Sequence, residues 1–275
     1  MHDLWKPFFQ NTSPIFEHIS PYAQTFDDFS NWPNLNDYNN LLKKIHANPR
    51  SKNKAALSFI PQETNPISVD EEYEVRIYKT GNIQTRLNNW HDFFQVMIWC
   101  RFLETKKIIN QLHAQAIINR NKSSNNSQRS AVENTLTLFD ECGAILVSSN
   151  KFLIDLIRGH SWTQLFLNNR EKFNNELQCF VFGHALYEKA LNPYLGMTAH
   201  SIIIEVEKPF FSLTPDEQCR ILDEQLCCYF SSLEKINTQL LQPFPILGVP
   251  GWDKDNIKPA YYDNKDYFRE KRLKI

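Results

Sequence analysis

Apolar residues recur along this chain with two different periods, which divide it into helices and short strands. Tyr38, Leu41, Leu42 and Ile45 fall on one face of a helix that starts near Asn36. Leu57, Phe59 and Ile60, ending at Pro61, read as a short edge strand. Residues 73–78 alternate apolar with polar, the period of a half-buried strand. Thr80-Gly81-Asn82 carries a turn signal, so 83–86 is expected to return as the second strand of a hairpin. Asn89 is a good N-cap for a helix over 90–103 that is apolar nearly all round and therefore buried. A second helix follows over roughly 104–118.

Residues 119–128 contain no apolar side chain, and a disordered loop is expected there. A second hairpin is expected from residues 135–140 and 144–147, flanking Glu141-Cys142-Gly143. Amphipathic helices over 151–158 and 161–172 are separated by Gly159. Residues 178–182 read as a buried strand, broken by Gly183 into a helix over 184–191 that Pro193 stops. His200 precedes a strand over 201–206. Thr214, Pro215 and Glu217 make a capping-box start for a long helix to about Ile236. The stretch from Pro243 to Trp252 is apolar, its Pro and Gly residues forbid a helix, and no regular element is expected there but an extended strap anchored by Trp252. Helices and short strands mix without a regular βα alternation and without a Gly-rich phosphate loop. The predicted class is α+β, with a mixed or antiparallel sheet built from hairpins and packed with several helices.

Composition sharpens this picture. A chain of 275 residues with 20 Phe, 10 Tyr and 6 Trp can bury a sizeable core. The expected organisation is an N-terminal helical extension (1–55), a main domain (56–269) and a short basic tail (270–275). A formal charge of −1 sets up no global field for nucleic acid or an acidic membrane. The six cysteines form no CxxC pair and read as reduced thiols, mostly filling the core. The first ten residues do not read as a secretory signal, and no apolar run is long enough to span a membrane, so a cytoplasmic location is expected.

Several strings then stop looking generic. They are Thr85-Arg-Leu-Asn-Asn-Trp-His-Asp-Phe93, Thr137-Leu-Phe-Asp-Glu141, Phe182-Gly-His-Ala-Leu-Tyr-Glu188, and Pro243-Phe-Pro-Ile-Leu-Gly-Val-Pro-Gly-Trp252. Behind the last stand Tyr262-Asp263 and Phe268-Arg269. In this order they resemble the bacterial domain of unknown function 3025 (DUF3025), over roughly Leu57 to Arg269. The chain departs from that pattern at Phe102-Leu103, where a Phe-Pro pair is expected, and at Gln95, where Asn is expected. The resemblance implies that the bulk is one module and that the first 55 residues or so vary more. It implies no activity.

Candidate chemistry gathers at the ends of predicted elements. His184 and Glu188 share one face at the start of a helix. Asp140 ends a predicted strand, His91 lies in the first turn of the buried helix, and His200 precedes a strand. His91, Asp140, His184, Glu188 and His200 therefore form a candidate ligand set for one divalent metal such as zinc. Asp92 or Glu141 would then serve as general base in a metal-assisted hydrolysis of a small or phosphorylated substrate. No HExxH string supports this reading. The competing reading is structural: capping at Asp92, a turn at Asp140-Glu141, and a surface pair at His184 and Glu188. A metal-free acid–base site is a further alternative.

Lys106, Asn110 and His113 share a helical face suited to an anion, or simply a solvated face. A Cys142–His184 nucleophile pair is disfavoured, because neighbouring carboxylates would raise the thiol's pKa. Basic residues in the 119–129 stretch and the tail lack interleaved aromatics, so they give no strong nucleic-acid signal. The rival to a hydrolase is a non-enzymatic protein that binds a partner protein through the Pro/Trp-rich segment or the basic loop.

Overall fold

Side-chain caps and left-handed glycines fix the element ends. The computed structural model describes residues 4–62, 68–122 and 128–271. In chain order the elements are α1 (Ser20–Ala23), α2 (Leu35–Ile45), β1 (Ser58–Pro61), α3 (Tyr73–Thr80), β2 (Asn82–Thr85), α4 (Trp90–Arg101), α5 (Leu103–Lys122) and α6 (Ala131–Cys142). There follow β3 (Gly143–Ser148), α7 (Lys151–Arg158), α8 (Arg170–Glu176), β4 (Leu177–Val181), α9 (His184–Ala190), β5 (Thr198–Glu205), α10 (Pro215–Ser232) and β6 (Gln242–Pro245). The fold is α+β, with a parallel strand pair and a mixed four-stranded sheet. No helix among the described residues is long and apolar enough to cross a membrane.

The chain divides into two compact units. One holds Met1–Gln10, Ile19–Thr137 and Cys219–Thr238; the other holds Asn11–His18, Leu138–Gln218 and Gln239–Ile275. In the first unit, β1 and β2 pair in parallel through Phe59↔Ile83, and α3 is the crossover between them. Asn34 and Asp37 close a reciprocal capping box on α2. Asn89 caps α4 by accepting from the Asp92 N–H at 3.0 Å. The aromatic lead-in covers α4: Trp5 stacks on Trp90 at 5.2 Å, and Trp32 meets the same ring edge-on at 4.7 Å. That cover is why a helix apolar nearly all round is stable here.

Neither expected hairpin forms. Residues 73–80 are helical, and Val75 packs with Ala114 and Ile117 of α5, flanked by Tyr78 and Ile118. The apparent alternation is also an i,i+3 pair, Val75 and Tyr78, and helix packing decided between the two periods. Gly81 is the C-terminal cap of α3, not a hairpin turn: its φ is +77° and its N–H donates to the Ile77 carbonyl at 2.9 Å. A Cβ there would also collide with the Ala56 carbonyl oxygen. Residues 131–142 are likewise helical. Ser130 and Glu133 form a capping box, with Ser130 N–H to Glu133 Oε2 at 2.8 Å and Glu133 N–H to Ser130 Oγ at 3.2 Å. Asp140 therefore lies in the last turn of a helix rather than at the end of a strand.

The second unit is built on the sheet ordered β4-β3-β5-β6. β3 is buried along its whole length; it runs parallel to β5 and antiparallel to β4. β6 pairs antiparallel with β5 through Ala199↔Phe244, so the Pro-rich segment does form a regular edge strand. Its continuation is anchored by buried Ile246, Leu247 and Val249, while the expected anchor Trp252 is only half-buried. The second amphipathic helix is reshaped into a π-helical turn (Gln164–Asn168) followed by α8. His200 lies inside β5, and the α10 capping box closes with Thr214 N–H donating to Glu217 Oε2 at 2.9 Å. Of the expected loop over 119–128, residues 119–122 belong to α5, and residues 123–127 lie outside those described.

Candidate functional site

The expected metal ligands divide between the two units. His91 belongs to the first unit, with Asp92 beside it. Asp92 Oδ1 accepts from Arg86 Nη2 at 2.7 Å, Oδ2 accepts from the Arg86 N–H, and the residue sits in the first turn of α4. That carboxylate holds the turn before α4 and complements the helix dipole, the structural role weighed against the general base.

Asp140, Glu141, His184, Glu188 and His200 belong to the second unit. Gly183 explains how the start of α9 meets the end of α6: a Cβ on it would collide with the Glu141 carbonyl and the Gly143 nitrogen. The close approach brings buried His184 Nδ1 to 3.8 Å from Asp140 Oδ2. His200 pairs across the ladder with Gly143. Burial first, and then the charge of Lys189, hold the His200 imidazole below its usual pKa. Lys189 Nζ stands 3.7 Å from Cys142 Sγ. Burial raises the pKa of that thiol against the opposing pull of Lys189, the direction opposite to activation of a thiol. Glu141 is exposed at the end of α6 and Glu188 is half-buried on α9. Among the described residues, no group of three or more His, Cys, Asp or Glu side chains is placed to hold a metal ion.

In the first unit, Lys106, Asn110 and His113 are buried along α5. Asn110 Nδ2 donates to Glu74 Oε2 at 2.6 Å and to the Glu74 carbonyl at 2.9 Å, and His113 Nδ1 lies 3.7 Å from Glu74 Oε1. Lys106 Nζ lies over the Trp99 ring, 5.0 Å from its centroid. The anion-suited face thus meets a carboxylate of the chain itself.

The second unit also carries a groove of about 550 Å³ that the candidate polar residues do not line. One side is β6 (Pro243, Phe244, Pro245) with Gly196 and Thr198 before and within β5. The other is the segment Asp266, Tyr267, Arg269 and Glu270, with His160 and Trp162 completing the lining. The far segment is pinned by buried bonds. Tyr267 Oη donates to the Met197 carbonyl at 2.6 Å and accepts the Leu247 N–H at 3.0 Å. Trp162 Nε1 donates to the Arg269 carbonyl at 2.8 Å.

His160 joins the two sides. Its Nε2 stands 2.7 Å from Gln242 Nε2 on β6; since an amide nitrogen only donates, the imidazole accepts there. The ring also hydrogen-bonds the Arg269 backbone. Burial, followed by the charge of Lys271, holds the pKa of this imidazole below its usual value. The ring stacks on Trp162 at 5.1 Å. His160 has φ +55°, a conformation that costs a non-glycine residue about 1 kcal/mol or more and that its surroundings must hold in place.

Sequence reasoning marked Pro243–Trp252 and Arg269 but did not connect them to His160, Trp162 or Tyr267. The groove needs residues about a hundred positions apart, and no local pattern records that closure.

This architecture, a small mixed sheet with a groove at its proline edge, defines an α+β protein with a candidate binding site. The chain belongs to the family described as protein of unknown function (DUF3025), whose pattern matches residues 57–272. Comparison with curated proteins and with solved structures finds no match.

Proposed function

We propose that this protein is a non-enzymatic binding protein that engages a partner protein through the groove along β6. One observation carries this reading: the Pro-rich segment, the rival to hydrolysis in the sequence, forms one wall of a roughly 550 Å³ cavity with a charged rim. Exposed Pro243 and the half-buried His160 ring supply apolar area, Trp162, Phe244 and Tyr267 are themselves buried and back the wall, and Asp266, Arg269 and Glu270 can orient what enters. The metal-assisted hydrolase lacks a comparable basis, because no three-ligand group is assembled among the described residues.

The test is a ligand-observed NMR screen of small fragments against the full chain and a Thr198→Trp variant that fills the groove. Fragments that bind the native protein and are lost in the variant support the reading; fragments that ignore the variant sink it. Elemental analysis of protein purified without chelator tests the competitor. Near-stoichiometric metal that disappears in His184→Ala would reinstate the hydrolase.

A further inference from the structure

We infer that the groove takes a lysine or arginine side chain of the partner protein, its apolar stem along the proline wall and its cationic nitrogen against the carbonyls and carboxylates of the rim. This rests on the groove being the binding site. The argument starts from β6. The Ile246 N–H donates to the Met197 carbonyl, which marks that residue pair as hydrogen-bonded. In an antiparallel ladder such pairs alternate with non-bonded ones, so Ala199–Phe244 is bonded while Thr198–Pro245 and His200–Pro243 are not. The backbone of Pro243 and Pro245 therefore faces away from β5, toward the open edge. Proline has no N–H, so this edge presents carbonyl oxygens without donors. An added strand needs donors and acceptors in alternation and finds only acceptors.

The side chains of the rim are mixed in charge, with Lys271 acting on His160 from beside it. Asp266 and Glu270 are two acidic residues of the lining, and Glu270 pairs with Lys265 at 3.4 Å in an exposed contact. Arg269 is the one guanidinium among the lining residues, and its Nε donates to the Asp266 carbonyl at 2.8 Å. His160 accepts from Gln242, which makes it a poor partner for an anion. Proline-edge carbonyls beside two acidic residues suit a donor-rich cation on an apolar stem, which gains charge-assisted bonds to carbonyl and carboxylate while its methylenes lie along Pro243.

The experiment titrates the isotope-labelled full chain with the N-acetyl amides of arginine, lysine, citrulline and glutamate. It follows the Gly196 and Thr198 amides and the Trp162 indole by NMR. The arginine or lysine probe should bind about tenfold more tightly than citrulline, its neutral analogue, and glutamate should not bind. An Asp266→Asn, Glu270→Gln double variant should remove that preference. If citrulline or glutamate shifts the same signals as strongly, the groove stands as a site and the cationic occupant is overturned. If no probe shifts them, the groove reading falls and this inference with it.

Discussion

Asn110 and His113 close on Glu74 in the first unit, whereas in the second unit Pro243 and Pro245 turn their carbonyls away from the sheet. Both regions gather polar groups against aromatic rings. In the first, donors and acceptors of one chain satisfy one another, and Asp223 does the same for α5 by accepting the Glu104 and Thr105 N–H groups at 2.9 and 2.7 Å. In the second, acceptors line a cavity. Residue type alone does not separate a buried structural network from a binding surface; what separates them is whether the partner group lies in the same chain.

The largest effect is expected where the internal match is broken. Asp223→Ala strips the cap from α5 and leaves two N–H groups unsatisfied, with an expected loss of about 3 kcal/mol in urea denaturation. Burial, working against the bonds from Thr105 and Glu104, raises the pKa of Asp223. A raised carboxyl favours folding below its unfolded value and loses that contribution as pH rises through the folded value. The native protein should therefore gain stability relative to Asp223→Asn as the pH is lowered from 7 toward 4.

Next comes Glu74→Ala, expected to cost about 1–2 kcal/mol. It should also convert the Asn110–His113 face into an anion site. Sulfate would then raise the melting temperature of the variant more than that of the native protein, and equal shifts would erase the contrast drawn above.

Pro243→Ala with Pro245→Ala probes the other side of the comparison. Stability should change by about 0.5 kcal/mol or less, while sedimentation at rising concentration should reveal self-association through the restored N–H groups. A strictly monomeric variant would show that something other than proline guards that edge.

The smallest effect belongs to His160. A lowered imidazole pKa means that the unfolded chain binds the proton more readily, so this contribution is present above the reference value of 6.5 and lost as pH falls through it. Half exposure screens the effect to a few tenths of a kcal/mol. His160→Asn, which tolerates the same backbone conformation, should flatten the stability profile between pH 7 and 5.

The sequence was most legible where structure is local. Asn89, and Thr214 with Glu217, announced their helices because a cap needs only neighbouring residues. Ser130-Ala-Val-Glu133 carried the same signal for α6, and the adjacent polar run masked it. Residues 73–80 misled because a short segment can satisfy both periods, and only its packing on α5 chose between them. Site residues were the least legible. Asp140 and His184 do come within 3.8 Å, because Gly183 permits a close backbone approach. His160, Trp162 and Tyr267 meet β6 only through long-range closure.

The phenol of Tyr267 holds two distant backbone groups at once, the Met197 carbonyl and the Leu247 N–H. One wall of the groove is thereby tied to both the residue before β5 and the segment after β6 through a single side chain, so opening that wall breaks both bonds together. Occupancy and docking of that wall are then thermodynamically linked. Whatever fills the groove should slow hydrogen exchange at residues 266–270, and a Tyr267→Phe chain, keeping the ring but losing both bonds of the hydroxyl, should exchange there faster.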